Sequence, residues 1–148
     1  VAVRGREGEK MAAMVRERLD GVDALTAQVR QWLPDIRAAL KQRMNDRVTE
    51  LGQGKDLDPD RLEQEVAILA QKMDVDEELD RLDAHVVEAR RTLDQKKPVG
   101  RRLDFLMQEF NRESNTLSSK SVDQRTTQVA VDLKVAIEQM REQVQNIE

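Results

Sequence analysis

The stretch from Gly100 to Lys120, GRRLDFLMQEFNRESNTLSSK, decides the fold because it places two different stripes on one helix. Apolar residues recur every three or four positions, which predicts an amphipathic helix with one buried side. A second stripe of Asp, Gln and Asn steps by four, three and four. A merely solvated face is usually Lys and Glu, so this polar composition indicates a binding or catalytic role. The apolar stripe is Leu103, Leu106, Phe110 and Leu117, with Ser114 filling a gap, and the polar stripe is Asp104, Gln108, Asn111 and Asn115.

Composition predicts an all-α protein. The 148 residues are 39% hydrophobic and 36% charged but only 2% aromatic, a mixture typical of long helices with aliphatic seams and unlike a β-sandwich or barrel. With no cysteine, disulfides and thiolate metal sites are excluded, and the chain fits the reducing cytoplasm. No apolar run reaches the ~18 residues of a membrane span. The chain begins without Met, so we expect a fragment or a processed product.

Charge is unevenly distributed along the chain. The formal net charge of −4 is a weak argument against broad nucleic-acid binding by bulk attraction. Between Arg90 and Arg102, however, six basic residues face one acidic residue, Asp94. This segment is either a local phosphate-binding patch or a helix end whose cations suit the helix dipole.

The order of apolar repeats divides the chain into a helical arm and a bundle. Residues 1–51 carry Val15, Val22, Val29 and Ile36 seven apart, a coiled-coil-like seam, and Pro34 either kinks this helix or opens a second one. Residues 52–60 read as a loop, with Asp58 capping the next helix and Pro59 opening it. Residues 61–148 form a compact helical bundle. We expect five or six helices in long antiparallel hairpins, and oligomers that cover the long seams.

The segment from Asp74 to His85 carries a polar stripe that contains the only histidine, His85. Glu78 and His85 are two turns apart, about 10.5 Å along the axis, so they need a ligand from a neighbouring helix to share a metal. Carboxylates with one imidazole suit Mg²⁺ or Mn²⁺. A salt-bridged polar face, in which the stripe pairs with Arg102 or Arg112, is the alternative. The stripe is Asp74, Glu78, Arg81 and His85, and the carboxylates that could complete a site are Asp104, Glu109 and Glu113.

Several common sites are missing from the sequence. It has no Gly-rich phosphate loop, no HExxH motif and no Ser with a visible base partner. Aromatic platforms for single-stranded nucleic acid are also absent. Any RNA contact is therefore predicted to go to phosphate and sugar and not to stacked bases.

Three segments together resemble the C-terminal region of the YicC/YloC family: RLEQEVAILAQKMDVDEELDRLDAHV, GRRLDFLMQEFNRESNTLSSK and LKVAIEQMREQVQNIE. The resemblance covers residues 61–148 closely and the N-terminal helices more loosely. It implies a cytoplasmic bacterial endoribonuclease that acts on RNA with a divalent metal and assembles as a homo-oligomer, expected to be a hexamer. Family members also have an N-terminal domain, largely α/β, which we do not find in this chain.

The resemblance carries over to individual positions without assigning their roles. In the first block the matching positions are Glu65, Asp74, Glu77, Glu78, Arg81 and His85. In the second block they are Gly100, Asp104, Gln108, Glu109, Asn111, Arg112, Glu113, Asn115 and Lys120.

Roles are assigned by chemistry, and three functions stay open. In the leading hypothesis, a metal-assisted endoribonuclease, the catalytic or metal-binding residues are Glu78, His85, Glu109 and Glu113. Phosphate contacts come from Arg81, Arg101, Arg102, Arg112 and Lys120, supported by Asp74, Asp104, Gln108, Asn111 and Asn115. The second hypothesis is a non-catalytic oligomerisation and RNA-clamping module, in which Arg112 and Glu113 are buried pairs. The third is a helical adaptor that binds another protein.

Overall fold

Five α-helices make up the part of the chain that the computed structural model describes, residues 2–51 and 59–146. No strand occurs in that part, so the predicted all-α class and helix number are confirmed. The helices are α1 (Ala2–Leu51), α2 (Pro59–Lys72), α3 (Asp76–Leu93), α4 (Gly100–Lys120) and α5 (Gln124–Gln145). None of them has an apolar stretch long enough to cross a bilayer, judged over the same described residues.

Four of the helices close into a bundle. α1 packs against α3 and α5, and α4 packs against the same two helices, so each has two neighbours in a ring. Ion pairs show the direction of α1 relative to α3. Arg16 near the start of α1 pairs with Asp94 after the end of α3, whereas Arg37 pairs with Asp76 at the start of α3. The two helices are therefore antiparallel.

The core of the bundle is one apolar cluster to which α1 contributes the predicted seven-residue seam. Val15, Val22 and Val29 are fully buried and Ile36 is 4% exposed. Side chains from Met11 to Leu33 belong to the same cluster as those of α3, α4 and α5. The arm predicted for residues 1–51 is thus, between Met11 and Leu33, one helix of the bundle. Its apolar repeat matches that of its neighbours because all of them face one interior.

α1 continues through Pro34 as one helix, so the proline does not open a second one. Pro34 lies on the exposed side of α1. Because proline has no N–H, the carbonyl of Arg30 lacks its helical partner, but on this side of the helix it can bond to water. Beyond Pro34, Leu40 and Met44 of α1 line one surface pocket together with Ala70 of α2 and Met73, the residue after α2. Helix α2 begins at Pro59 as expected, but the predicted cap Asp58 and the rest of 52–58 lie outside the described residues, as does Ile147.

Short connections set the ends of α3, α4 and α5. Asp74 accepts a hydrogen bond from the backbone N–H of Asp76, the first residue of α3, at 2.9 Å. Asp123 caps α5 by accepting from the backbone N–H of Arg125 at 2.8 Å. Only residues 121–123 separate α4 from α5, so the two helices turn back on each other. The hydroxyl of Ser114 donates to the carbonyl of Ala130 across this hairpin at 3.2 Å.

Candidate metal and RNA site

Polar side chains of the α3 stripe meet charged side chains of α4 along one antiparallel seam, but the Asp104, Gln108, Asn111 and Asn115 stripe of α4 is not part of it. The contacts run in opposite directions on the two helices, because Glu78 at the start of α3 pairs with Lys120 at the end of α4. Glu88, further along α3, pairs with Arg102 near the start of α4. Between these two ends lie the candidate catalytic side chains His85, Glu109 and Glu113.

Three potential ligands converge in the middle of the seam. One ligand atom from each of His85, Glu109 and Glu113 lies within 4.8 Å of the other two. Two donors on opposite sides of a Mg²⁺ ion, each at about 2.1 Å, lie about 4.2 Å apart, so small side-chain shifts would let all three bind one ion. Glu113 is buried, while His85 and Glu109 are partly exposed, so the cluster is open to a ligand from solvent.

The Nε2 atom of His85 is the strongest sign that this cluster binds something. It is buried, has no hydrogen-bond partner and lies 4.0 Å from Oε1 of Glu113. A buried polar atom without a partner is costly, and a cation between imidazole and carboxylate would satisfy it. One imidazole with two carboxylates is a donor set that fits Mn²⁺ and, with waters, Mg²⁺. The residues present therefore fit a divalent metal.

Packing keeps His85 in a form that can bind a metal. Its ring meets Phe110 edge to face, with centroids 5.7 Å apart. Burial lowers the pKa of His85 below its ordinary 6.5, against the opposing effect of the Glu113 and Glu109 carboxylates. The imidazole is consequently neutral at pH 7, the form in which it binds metals. Phe110 was predicted only as part of the buried stripe, and its contact with His85 could not be read from spacing.

Arg81 orients the buried carboxylate. Its Nε donates to Oε2 of Glu113 at 2.9 Å, which leaves Oε1 on the side of His85. The Glu113 hydrogen bond is the main reason that the pKa of Arg81 is raised. The same guanidinium lies 3.3 Å from Glu78 and 3.5 Å from Glu77. Arg81 therefore pairs with carboxylates in this structure, whereas the sequence predicted that it contacts phosphate.

Glu78 lies outside the group of three. It is 1% exposed, and its Oε1 accepts from Nζ of Lys120 at 2.7 Å. Lys120 also donates to the backbone carbonyl of Asp74 at 3.1 Å. Because Glu78 is two turns from His85, the register of the seam puts it opposite the end of α4, while Glu109 and Glu113 are level with His85. The structure thus brings together three of the four proposed ligands and gives Glu78 a different partner.

The remaining predicted site residues lie on the outer face of α4 or at its start. Asp104 is partly buried and accepts a long 3.4 Å hydrogen bond from Gln108. Arg112 is exposed, so it is not the buried partner of Glu113 that the clamping hypothesis required, and Arg81 takes that place. Exposed positions are also occupied by Arg101, Arg102, Gln108, Asn111 and Asn115.

Two of the basic residues between Arg90 and Arg102 have acidic partners. Arg90 pairs with Asp20 and Asp23 of α1 at 2.6 and 2.9 Å. Arg102 pairs with Glu88 at 3.0 Å. The predicted phosphate patch therefore has its exposed cations chiefly at Arg91, Lys96, Lys97 and Arg101.

Comparison with known proteins finds relatives that are named as probable endoribonucleases. The family model described as "Endoribonuclease YicC-like, C-terminal" matches residues 29–148. A Haemophilus influenzae protein named "Probable endoribonuclease YicC" is 50% identical over 148 residues, covering 100% of this chain and 51% of that relative. A Clostridioides difficile protein of the same name is 36% identical over 147 residues, covering 99% and 50%. The chain spans about half the length of the curated relatives it matches.

Proposed function

Because this chain belongs to the YicC-like endoribonuclease family, matching the C-terminal part of its sequence, we propose that it holds the metal site of an enzyme that cleaves RNA phosphodiester bonds with a divalent cation. The observation that carries the proposal is the convergence of His85, Glu109 and Glu113, with Nε2 of His85 buried and unpartnered. The family name supports the substrate and the donor set supports the metal.

Each side chain has a role that follows from its position. His85 through Nε2 and the buried Glu113 through Oε1 would hold a divalent cation, with the partly exposed Glu109 as the third ligand. A bound Mg²⁺ or Mn²⁺ would supply positive charge at a phosphate oxygen and a more acidic bound water. Arg81 holds Glu113 in place and partly balances the acidic charge of the site.

The exposed cations around the seam are available to the RNA backbone. Arg101 and Arg112 lie on α4 on either side of Glu109, about 16.5 Å apart along the helix axis, so they could contact phosphates of one strand that are separated by more than one nucleotide. Lys120 has a different role. Its ammonium neutralises Glu78 at the end of the seam, so it supports the site and leaves phosphate binding to the arginines.

The test is cleavage of a labelled RNA by the natural-length protein with Mn²⁺, Mg²⁺ or EDTA. We expect cleavage only with the metals. Glu109→Gln and Glu113→Gln should each reduce the cleavage rate by more than roughly 10–100-fold, the usual effect of mutating a residue that only hydrogen-bonds to a metal ligand. Glu138→Gln, on the exposed face of α5, is the matched control and should cleave normally.

Metal binding gives a readout that does not depend on activity. Isothermal titration calorimetry with Mn²⁺ should show one binding site. Glu113→Gln should weaken binding at this site, and Glu138→Gln should leave it unchanged. Analysis of product ends completes the test. Hydrolysis by water leaves no cyclic phosphate, whereas attack by the 2′-hydroxyl does. Cleavage that survives EDTA would contradict the metal assignment.

A second candidate function is a homo-oligomeric RNA clamp without its own chemistry. It is favoured by the ion pairs Arg81–Glu113 and Lys120–Glu78, which join α3 to α4 whether or not a metal binds. Exposed Val131 and Val135, one turn apart on α5, offer apolar surface for self-association. Light scattering on Glu113→Gln separates the two functions. An intact oligomer that binds but does not cleave RNA supports catalysis, and loss of assembly supports the clamp.

A further inference from the structure

Phe105 is an aromatic side chain on the outer face of α4. The apolar stripe of this helix turns away from it, since Leu103, Leu106 and Phe110 are buried in the core. Phe105 remains 50% exposed. It is one of only two phenylalanines in the chain, and the other is the core residue Phe110. A single exposed apolar residue is ordinary in itself, so the surroundings of the ring decide what it can do.

A guanidinium lies over the ring. The central carbon of Arg102 is 5.8 Å from the centroid of Phe105, a cation–π distance. The Nη2 of Arg102 donates to Oε1 of Glu88 on α3 at 3.0 Å, which holds the guanidinium in this place. An exposed aromatic ring beside a fixed guanidinium combines the two planar groups on which proteins stack unpaired bases.

The ring also lies beside the metal cluster. Phe105 precedes Glu109 by four residues, so the two side chains are neighbours on the surface of α4, with Cβ atoms about 5–6 Å apart. Glu109 is the partly exposed member of the cluster. A nucleotide whose phosphate reaches the cluster would therefore have its base, or that of the next nucleotide, within reach of Phe105.

We propose that Phe105 and Arg102 form a binding site for an unpaired nucleobase next to the phosphate at the His85–Glu109–Glu113 cluster. The base stacks on the face of the ring opposite Arg102. Bases inside a duplex are already stacked on their neighbours, so this site selects single-stranded RNA. The inference rests on the proposed function and revises the expectation from sequence that RNA contacts involve only phosphate and sugar.

The experiment measures RNA affinity without cleavage. The natural-length protein in EDTA is titrated with a fluorescein-labelled oligoadenylate of twelve nucleotides in which alternate adenines are 2-aminopurine. Anisotropy gives the affinity, and 2-aminopurine quenching reports stacking. A blunt RNA duplex of the same length is the second probe. The variants are Phe105→Ala, Phe105→Leu and Phe105→Trp, with Val87→Ala as the control because Val87 is an exposed apolar residue of α3.

Stacking predicts a specific order among the variants. Phe105→Ala and Phe105→Leu should weaken single-strand binding by about tenfold and lose the quenching, in keeping with the loss of one base–aromatic contact. Phe105→Trp should retain both within about twofold, since indole also stacks. Duplex binding should be unchanged in all variants, and Val87→Ala should match the parent with both probes.

Two outcomes overturn the stacking site. Full affinity and quenching in Phe105→Ala would remove any role of the ring, and full affinity in Phe105→Leu would reduce it to a non-aromatic contact. These results can be told apart from failure of the proposed function. If the Phe105 variants lose binding while the parent shows no metal-dependent cleavage, the base site stands and the nuclease assignment fails. If the parent shows metal-dependent cleavage but Phe105→Ala binds RNA normally, the nuclease assignment stands and the base site fails.

Discussion

His85 shows how one side chain depends on its surroundings at the residue scale. On α3 alone it is an imidazole in a polar stripe. In the bundle, burial disfavours its charged form, and Phe110 packs on its ring. The Glu113 and Glu109 carboxylates attract a proton, but burial has the larger effect and the pKa falls. The neutral imidazole is thereby suited to bind a cation between itself and Glu113. Protonation of His85 at low pH should weaken that binding.

The lowered pKa of His85 makes stability depend on pH in a direction that can be derived. The folded pKa lies below 6.5, so the unfolded chain binds the His85 proton more readily as pH falls through that value. The resulting loss of folding stability is absent well above pH 6.5 and grows towards lower pH. In urea titrations with EDTA, the parent should therefore lose more stability between pH 7.5 and 5.5 than His85→Gln.

The comparison between the two proteins isolates His85, because all other titrating groups are common to both. Equal losses of stability in the parent and in His85→Gln would contradict the prediction. With Mn²⁺ present the parent should also lose metal affinity over the same pH interval, because protons and metal compete for Nε2.

At the element scale, the α3–α4 seam combines a candidate site with the pairs that join the two helices. Glu78 is buried and depends on Lys120 at 2.7 Å and on Arg81 at 3.3 Å. Removing one partner of a buried pair leaves a charge without compensation, which costs more than the pair itself contributes. Lys120 is therefore expected to matter for stability independently of RNA.

Lys120→Met tests this dependence. The free energy of unfolding should fall by about 2 kcal/mol, less than for a fully buried pair because Arg81 remains beside Glu78. The double variant Glu78→Leu with Lys120→Met removes both charges and should recover most of the loss. Urea denaturation measures both. Lys134→Met on the exposed side of α5 is the control, and a loss no larger than in that control would contradict the prediction.

Gly21 offers a second prediction at the element scale. It lies inside α1 on the exposed side, and a Cβ added there would meet nothing within 4 Å. Glycine inside a helix costs roughly 0.5–1 kcal/mol relative to alanine. Gly21→Ala should accordingly raise Tm by about 1–4 °C in calorimetry. Ala27→Gly, also exposed on α1, should lower Tm by a similar amount, and an unchanged Tm in both would show that helix propensity in α1 does not limit stability.

At the scale of the whole molecule, the closed ring of α1, α3, α4 and α5 contrasts with α2. Each ring helix packs against two others, whereas α2 packs chiefly against the end of α1. None of the described side chains of α2 belongs to the core cluster. Elements with few buried apolar contacts open at low free energy, independently of the rest.

Hydrogen exchange should reveal this difference. Amides in the middle of α2 are expected to exchange through local opening, faster than those around Phe110 in α4 and Leu133 in α5. Both of these residues are fully buried. Peptide-level mass spectrometry measures the exchange rates of the three helices. The peptides of α4 and α5 should exchange at similar rates and serve as the reference for α2. Equal protection of α2 and α4 would mean that α2 unfolds only with the bundle.

The sequence by itself determined the elements and their buried sides. Spacing in steps of three and four is a local property of a helix, so the seam of Val15, Val22 and Val29 and the stripe around Phe110 could be predicted and were found buried. The bounds of α4, Gly100–Lys120, also coincide with the predicted segment. Absence from that stripe did not decide exposure, since Phe105 is 50% exposed whereas Met107, which is also outside the stripe, is buried.

Only the tertiary structure decided which residues of α3 face which residues of α4. Sequence spacing left Glu78 and Glu113 as equal candidates for a site with His85. The register between the helices is set by the packing of the whole core, including α1 and α5, and no local pattern encodes it. That register places Glu109 and Glu113 level with His85 and leaves Glu78 to Lys120.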